Sequence, residues 1–176
     1  MSKPLVTRPS GGVVVIDATN HIAGRLASAA AKLLLSNKNL NVIIINAEKA
    51  VILGDRKMVV GWYMRKVSEW KTHYNPEKVG PKIPRRPDRV LKRIIRDMLP
   101  YKKHEGRNAL KRLKVYMSTP PDIKGESYYI PEALIRPKPL YKYISLEELW
   151  SYIDQRAWSK WKEAQMLLEK IKAQGK

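Results

Sequence analysis

The chain has 176 residues, no cysteine and a net charge of +19, from 35 Lys and Arg against 16 Asp and Glu. Such a length suits one domain with its own apolar core, and the lack of cysteine excludes a disulfide scaffold, a thiolate metal site and a cysteine nucleophile. The charge calls for a polyanion, with nucleic acid first and an anionic membrane second.

A membrane partner is not expected, because the longest apolar runs, 13–16 and 42–45, fall far short of the roughly 20 residues of a spanning helix. The first ten residues hold two prolines and no apolar h-region, so a secretory signal is not expected and the cytoplasm is the expected residence.

Val13-Val14-Val15-Ile16 is a continuous β-branched run, as in a strand buried on both faces of a parallel sheet. Asp17-Ala18-Thr19-Asn20 offers three capping residue types ahead of Ile22, Leu26, Ala30 and Leu33, which repeat at helical spacing. Ser36-Asn37-Lys38-Asn39 closes that helix, and Val42-Ile43-Ile44-Ile45 is a second strand, so a right-handed parallel crossover is expected. Ala50-Val51-Ile52-Leu53 reads as a short strand ending in the turn Gly54-Asp55, and residues 56–66 are weakly helical. Residues 67–86 mix Trp70, Tyr74, Pro76, Pro81 and Pro84 with cations and have no apolar period, which predicts a loop or irregular hairpin.

Pro87, a favoured first helical residue, opens a helix through Leu99 that Pro100 stops. Residues 106–113 are expected to form another helix and Val115-Tyr116-Met117 a last strand. After Thr119-Pro120-Pro121 the chain should run extended and polyproline-like through Pro131, Pro137 and Pro139. Leu146, Trp150, Ile153, Ala157, Trp161, Ala164, Leu168 and Ile171 then recur at steps of three and four, predicting one amphipathic helix over 146–172. The expected division is an α/β RNA-binding core over 1–118 and an arm over 119–176 that packs on the core or on a neighbour, outside the sheet.

Positive charge is concentrated between Lys78 and Lys114, where fourteen cations face three acids, a local excess of eleven. Within the helix after Pro87, Arg89, Lys92, Arg93 and Arg96 form one stripe, while Val90, Leu91, Ile94, Ile95 and Met98 fall on the other side. A stripe of like charges at i and i+4 repels itself. That favours polyanion binding over a merely solvated face. Trp62-Tyr63-Met64-Arg65-Lys66 and Trp70-Lys71-Thr72-His73-Tyr74 interleave aromatics with cations, a pattern suited to unstacked bases and phosphates. Anchoring of Trp62 and Trp70 on the core is an equal alternative, since Phe is absent and some Tyr and Trp must fill the core.

Enzymatic readings find little support. His21, His73 and His104 lie in separate segments without metal-ligand spacing, and are expected at caps, on the surface or against phosphates. The turn from Asp17 to Gly24 has one glycine where a dinucleotide fingerprint needs three, so Gly24 is expected to allow close helix packing and Arg25 to project a cation. A nuclease would need clustered acids, and Asp88 and Asp97 fall on opposite sides of their helix. The tryptophans of the C-terminal helix are expected as a seam facing the core or a partner.

Three blocks in order carry a family resemblance: Val15-Ile16-Asp17-Ala18 with Gly24-Arg25-Leu26-Ala27-Ser28; Val42-Ile43-Ile44-Ile45-Asn46-Ala47-Glu48-Lys49; and Met98-Leu99-Pro100 with Gly106 and Leu113-Lys114-Val115-Tyr116. Spanning roughly residues 13 to 118, they resemble the universal large-subunit ribosomal protein family numbered thirteen. Leu40-Asn41 departs from the bacterial Gly-Asp pattern, and the tail from Pro120 is similar to that of archaeal and eukaryotic members.

The resemblance implies a three-layer α/β fold around a four-stranded parallel sheet, and a structural, non-enzymatic role in the large ribosomal subunit. It further implies binding of large-subunit rRNA and support of its assembly, beside neighbouring large-subunit proteins. Carried over by position, Arg25, Lys49, Arg85, Arg86, Arg89, Lys92, Arg93, Arg96, Lys102, Lys103, Arg107, Lys111, Arg112 and Lys114 would face RNA. Arg65, Lys66, Trp70, Lys71 and His73 join them from the aromatic segments. No cofactor, metal or small-molecule substrate is expected. The alternative from bare physics is a basic DNA-binding or chromatin-like protein, although no helix-turn-helix or zinc-finger spacing favours it.

Overall fold

The computed structural model describes residues 12–121, 123, 127–135 and 142–174. The first ten residues, and Pro137 and Pro139 of the expected extended stretch, lie outside the described residues.

The main sheet has four strands in the order β4-β2-β1-β5, all paired parallel. They are β1 (Val13–Asp17), β2 (Asn41–Ile45), β4 (Leu113–Val115) and β5 (Ser127–Tyr128). Val14, Ile16, Val42 and Ile44 are buried on one face and Val15 and Ile45 on the other. Cover on both faces is why these runs are β-branched throughout and do not alternate with polar residues. Helix α1 (Ala23–Ser36) follows β1 and sends Leu26, Ala27, Ala30, Ala31 and Leu34 into the core, where it packs on α3 (Pro87–Met98) and α4 (His104–Lys111). Strand β3 (Val51–Leu53) leaves this sheet and pairs antiparallel with β6 (Tyr143–Ser145). Helix α2 (Arg56–Ser68) lies after β3, and α5 (Leu146–Ile153) and α6 (Gln155–Gln174) end the chain. The α/β class and the four-stranded parallel sheet are as expected.

Several local expectations give way. The fourth strand comes from the tail: β5 pairs with β1, and Ile130, Ala133, Ile144, Leu146 and Leu149 share the core of the first hundred residues. The described part of the tail therefore contributes a strand to the sheet and side chains to the core, where an arm outside the sheet was expected. The strand expected over 115–117 runs earlier, as β4. The helix expected over 146–172 is two, broken at Asp154, whose carboxylate accepts from the Ala157 N–H and so caps α6. Periodicity alone missed this break because the apolar steps continue across it.

The turn after β1 also differs. Asp17 does not cap α1; its Oδ1 accepts from the Thr19 N–H and hydroxyl and from Asn46 Nδ2, tying β1 to the end of β2. His21 is a buried core residue, neither cap nor surface. Its Nδ1 lies 2.9 Å from the Thr19 carbonyl and its Nε2 accepts from the Ile130 N–H at 3.0 Å, which assigns a neutral imidazole protonated on Nδ1. Burial pushes its pKa below the ordinary 6.5. Gly24 is exposed, with open space where a Cβ would stand, so close packing does not explain it. Gly106 is the constrained glycine. A Cβ there would lie 2.2 Å from the Pro100 carbonyl oxygen, so only glycine lets α4 close on the turn that ends α3.

Candidate nucleic-acid interface

The site is built on α3. Pro87 occupies its first turn, and Val90, Leu91 and Ile95 are buried against the core, so the helix has one fixed orientation. Arg89 and Lys92 are consequently exposed, with Arg93 and Arg96 half-buried beside them. Lys82 from the preceding loop completes a pocket of about 350 Å³ lined also by Ile83, Pro84 and Leu110, in which every charged lining residue is a cation. Lys82 was outside the predicted set. Its Nζ donates to the Pro76 and Glu77 carbonyls, so it holds the loop as well as charging the pocket.

The stripe is not wholly free of acids. Asp97 lies 3.6 Å from Arg93 and 3.3 Å from Arg96, and Arg96 also covers the Tyr101 ring at 4.6 Å. These are surface pairs, each worth less than about 1 kcal/mol. Met98, placed on the apolar side by the helical wheel, is 49% exposed because it stands in the last turn beyond the packed part of the helix.

The second cluster is at the end of α2. Lys66 Nζ sits 3.3 Å from the centroid of the Trp62 ring and 5.0 Å from that of Trp70. Partial burial, and then the nearby Arg93 charge, lowers the Lys66 pKa, against an opposing pull from Asp97. Tyr63 donates to the Pro84 carbonyl at 3.1 Å, and burial pushes its pKa up to about 12. Thus α2 and the loop before α3 are pinned together. Of the loop expected over 67–86, the first two residues belong to α2; no helix or strand interrupts 69–86, where Trp70, Lys71 and His73 are exposed. Trp62 and Trp70 are about half exposed, so neither is a simple core anchor.

The remaining predicted cations divide. Arg65, Arg85 and Arg86 are exposed but contact Glu69, Asp154 and Asp88. Lys102, Lys103, Arg107 and Lys111 are exposed around α4, and Lys114 on β4. Arg25 projects from α1 and reaches the Glu132 carbonyl at 3.4 Å, and Lys49 is exposed in the 3-10 turn Ala47–Lys49, beside a concavity lined also by Trp161 and Met166 of α6. Arg112 is the exception. Its guanidinium donates to the Leu34, Asn37 and Leu40 carbonyls at 2.6 to 2.9 Å, closing the C-terminal end of α1. Its donors serve the fold, where a position in a basic run predicted an RNA-facing role.

A family model described as Ribosomal protein L13 matches residues 12–122. The chain belongs to the ribosomal protein L13 family. This is a family of structural proteins, and the chain is not an enzyme. It is 56% identical over 166 residues, 92% of this chain and 90% of the relative, to the large ribosomal subunit protein uL13 of Pyrobaculum islandicum. To the uL13 proteins of Archaeoglobus fulgidus and Methanocaldococcus jannaschii it is 40% and 42% identical, over 81% and 80% of this chain and 88% and 97% of theirs. The family model ends at residue 122 while the Pyrobaculum match covers most of the tail, so β6, α5 and α6 lie largely in sequence shared with that relative. Among the described residues no helix is long and apolar enough to cross a membrane.

Proposed function

We propose that this protein is a structural constituent of the large ribosomal subunit that binds large-subunit rRNA and supports its assembly. The observation that carries the reading is the pocket on α3, where Lys82, Arg89, Lys92, Arg93 and Arg96 converge without an acid among the lining residues. Like charges gathered on a rigid helix raise the cost of the free state and lower it when a phosphate enters. The names of the archaeal relatives support the same subunit, and neighbouring large-subunit proteins are the expected further partners.

The mechanism is positional. Backbone phosphates are neutralised at α3, around α4 and along the loop over 69–86, while the parallel sheet holds these segments in register. Binding to large-subunit rRNA fragments should weaken steeply with salt, by a log-log slope of about 0.7 to 0.9 per neutralised phosphate. The protein should co-sediment with the large subunit in moderate salt. A slope near zero would remove the mechanism, and tighter, more selective binding to duplex DNA than to rRNA would favour the DNA-binding alternative.

A further inference from the structure

Beside the cationic pocket runs a second concavity, of about 740 Å³, between the start of α1, β3, α2 and α3. Its wall is apolar: Ile52, Met58, Trp62, Tyr63, Pro84 and Ile94 all contribute. Met58 and Trp62 are 63% and 53% exposed, a concentration of open apolar and aromatic surface that isolated soluble domains seldom leave uncovered.

Two observations indicate what covers it. Arg93 lines both this groove and the cationic pocket, as do Ile83 and Pro84, so the two adjoin along a shared wall that carries a cation. Lys66, between Trp62 and Trp70, puts a second cation inside the same groove. Asp97 also lines the groove, 3.6 Å from Arg93, so two cations face one acid there, and an apolar protein segment entering would leave the excess positive charge unmatched. An RNA nucleotide carries its own anion, joined to a flat π surface.

We propose that the groove receives an unpaired base of the RNA, stacked against Trp62 or Trp70, with the phosphate of that nucleotide held at Arg93 in the cationic pocket. The proposal rests on the rRNA-binding reading and specifies its ligand as a single extruded nucleotide rather than duplex backbone. Tyr63 keeps the groove open by fastening α2 to Pro84, and with its pKa near 12 it remains a neutral donor. Lys66 Nζ, 3.3 Å from the Trp62 ring centroid, stands where it can meet the phosphate of a nucleotide stacked beside it.

The test uses the full chain and an rRNA hairpin that it binds, with Trp62→Leu, Trp70→Leu, Trp62→Tyr and Arg93→Gln variants checked by thermal unfolding. Stacking predicts an affinity loss of about 10- to 100-fold in at least one of the two Leu variants at unchanged salt slope, and near-parent affinity in Trp62→Tyr. Arg93→Gln should lower the slope by about one. Parent-like affinity in both Leu variants overturns the base-binding proposal while leaving rRNA binding intact, and leaves a protein segment as the groove's occupant. Absence of salt-dependent binding in the parent overturns rRNA binding itself. Should the Leu variants not fold, the parent's tryptophan fluorescence decides. An unstructured oligocytidine should quench it and a blunt duplex of equal charge should not; equal quenching by both overturns the proposal.

Discussion

Two ends of one cationic segment behave oppositely. At the α3 end, Arg89 and Lys92 are exposed and no acid among the described residues pairs with them. At the other end, Arg112 gives its donors to three carbonyls at the close of α1. The residue type and the local charge density are the same, and the role is set by what lies within reach. An arginine whose carbonyl partners are seventy or more positions away in sequence cannot be told from an RNA-facing one by composition.

The contrast can be broken most severely by truncation. Removing residues 120–176 takes away β5, the Ile130 N–H that His21 accepts from, and the buried Ile144, Leu146, Leu149 and Trp150. Cooperative thermal unfolding should be lost; a sharp transition in the truncated chain would restore the tail to the status of an appended arm. Next in size, Ile95→Ala under α3 should cost about 2 to 5 kcal/mol by denaturant unfolding. Arg112→Met should cost about 2 to 4 kcal/mol, because charge-assisted bonds to partly buried carbonyls are lost, while RNA affinity of the folded fraction stays at the parent level.

A smaller effect concerns acid. Because the folded-state pKa of His21 is lowered, its contribution to stability is present above the ordinary 6.5 and is lost as pH falls below that value toward the folded one. Denaturant midpoints should therefore decline between pH 7 and 5, and His21→Gln should flatten the decline. The smallest change in stability belongs to Arg89→Gln with Lys92→Gln, within about 0.5 kcal/mol of the parent. That pair should nonetheless lower the salt slope of rRNA binding by about two. A large stability loss with an unchanged slope would mean that the two ends of the segment do not differ.

The strands β1 and β2, the helices α1 and α3, and the loop before α3 were legible in sequence, because each depends on a local period or on proline. What escaped depends on distant partners. Two residues, Ser127 and Tyr128, form β5 only because β1 offers an edge, and no periodicity exists in a strand of two. His21 became a core residue through Ile130, far along the chain. In the candidate site the basic stripe was readable from spacing, whereas Lys82 enters through a loop fold and Asp97 through side-chain reach. The near-even choice for the tryptophans was undecidable from sequence, since half-exposure is a property of the groove.

The pairing of Val15 with Ser127 bears on how the molecule is made. One edge of β1 has no partner on the translating machinery until about 110 further residues have followed, roughly 5 to 20 s at ordinary elongation rates. Until then the nascent chain presents an open, β-branched ribbon that any other extended segment could join. The polybasic region emerges before that edge is sealed. An interval of seconds therefore separates emergence of the cationic segment from closure of the sheet.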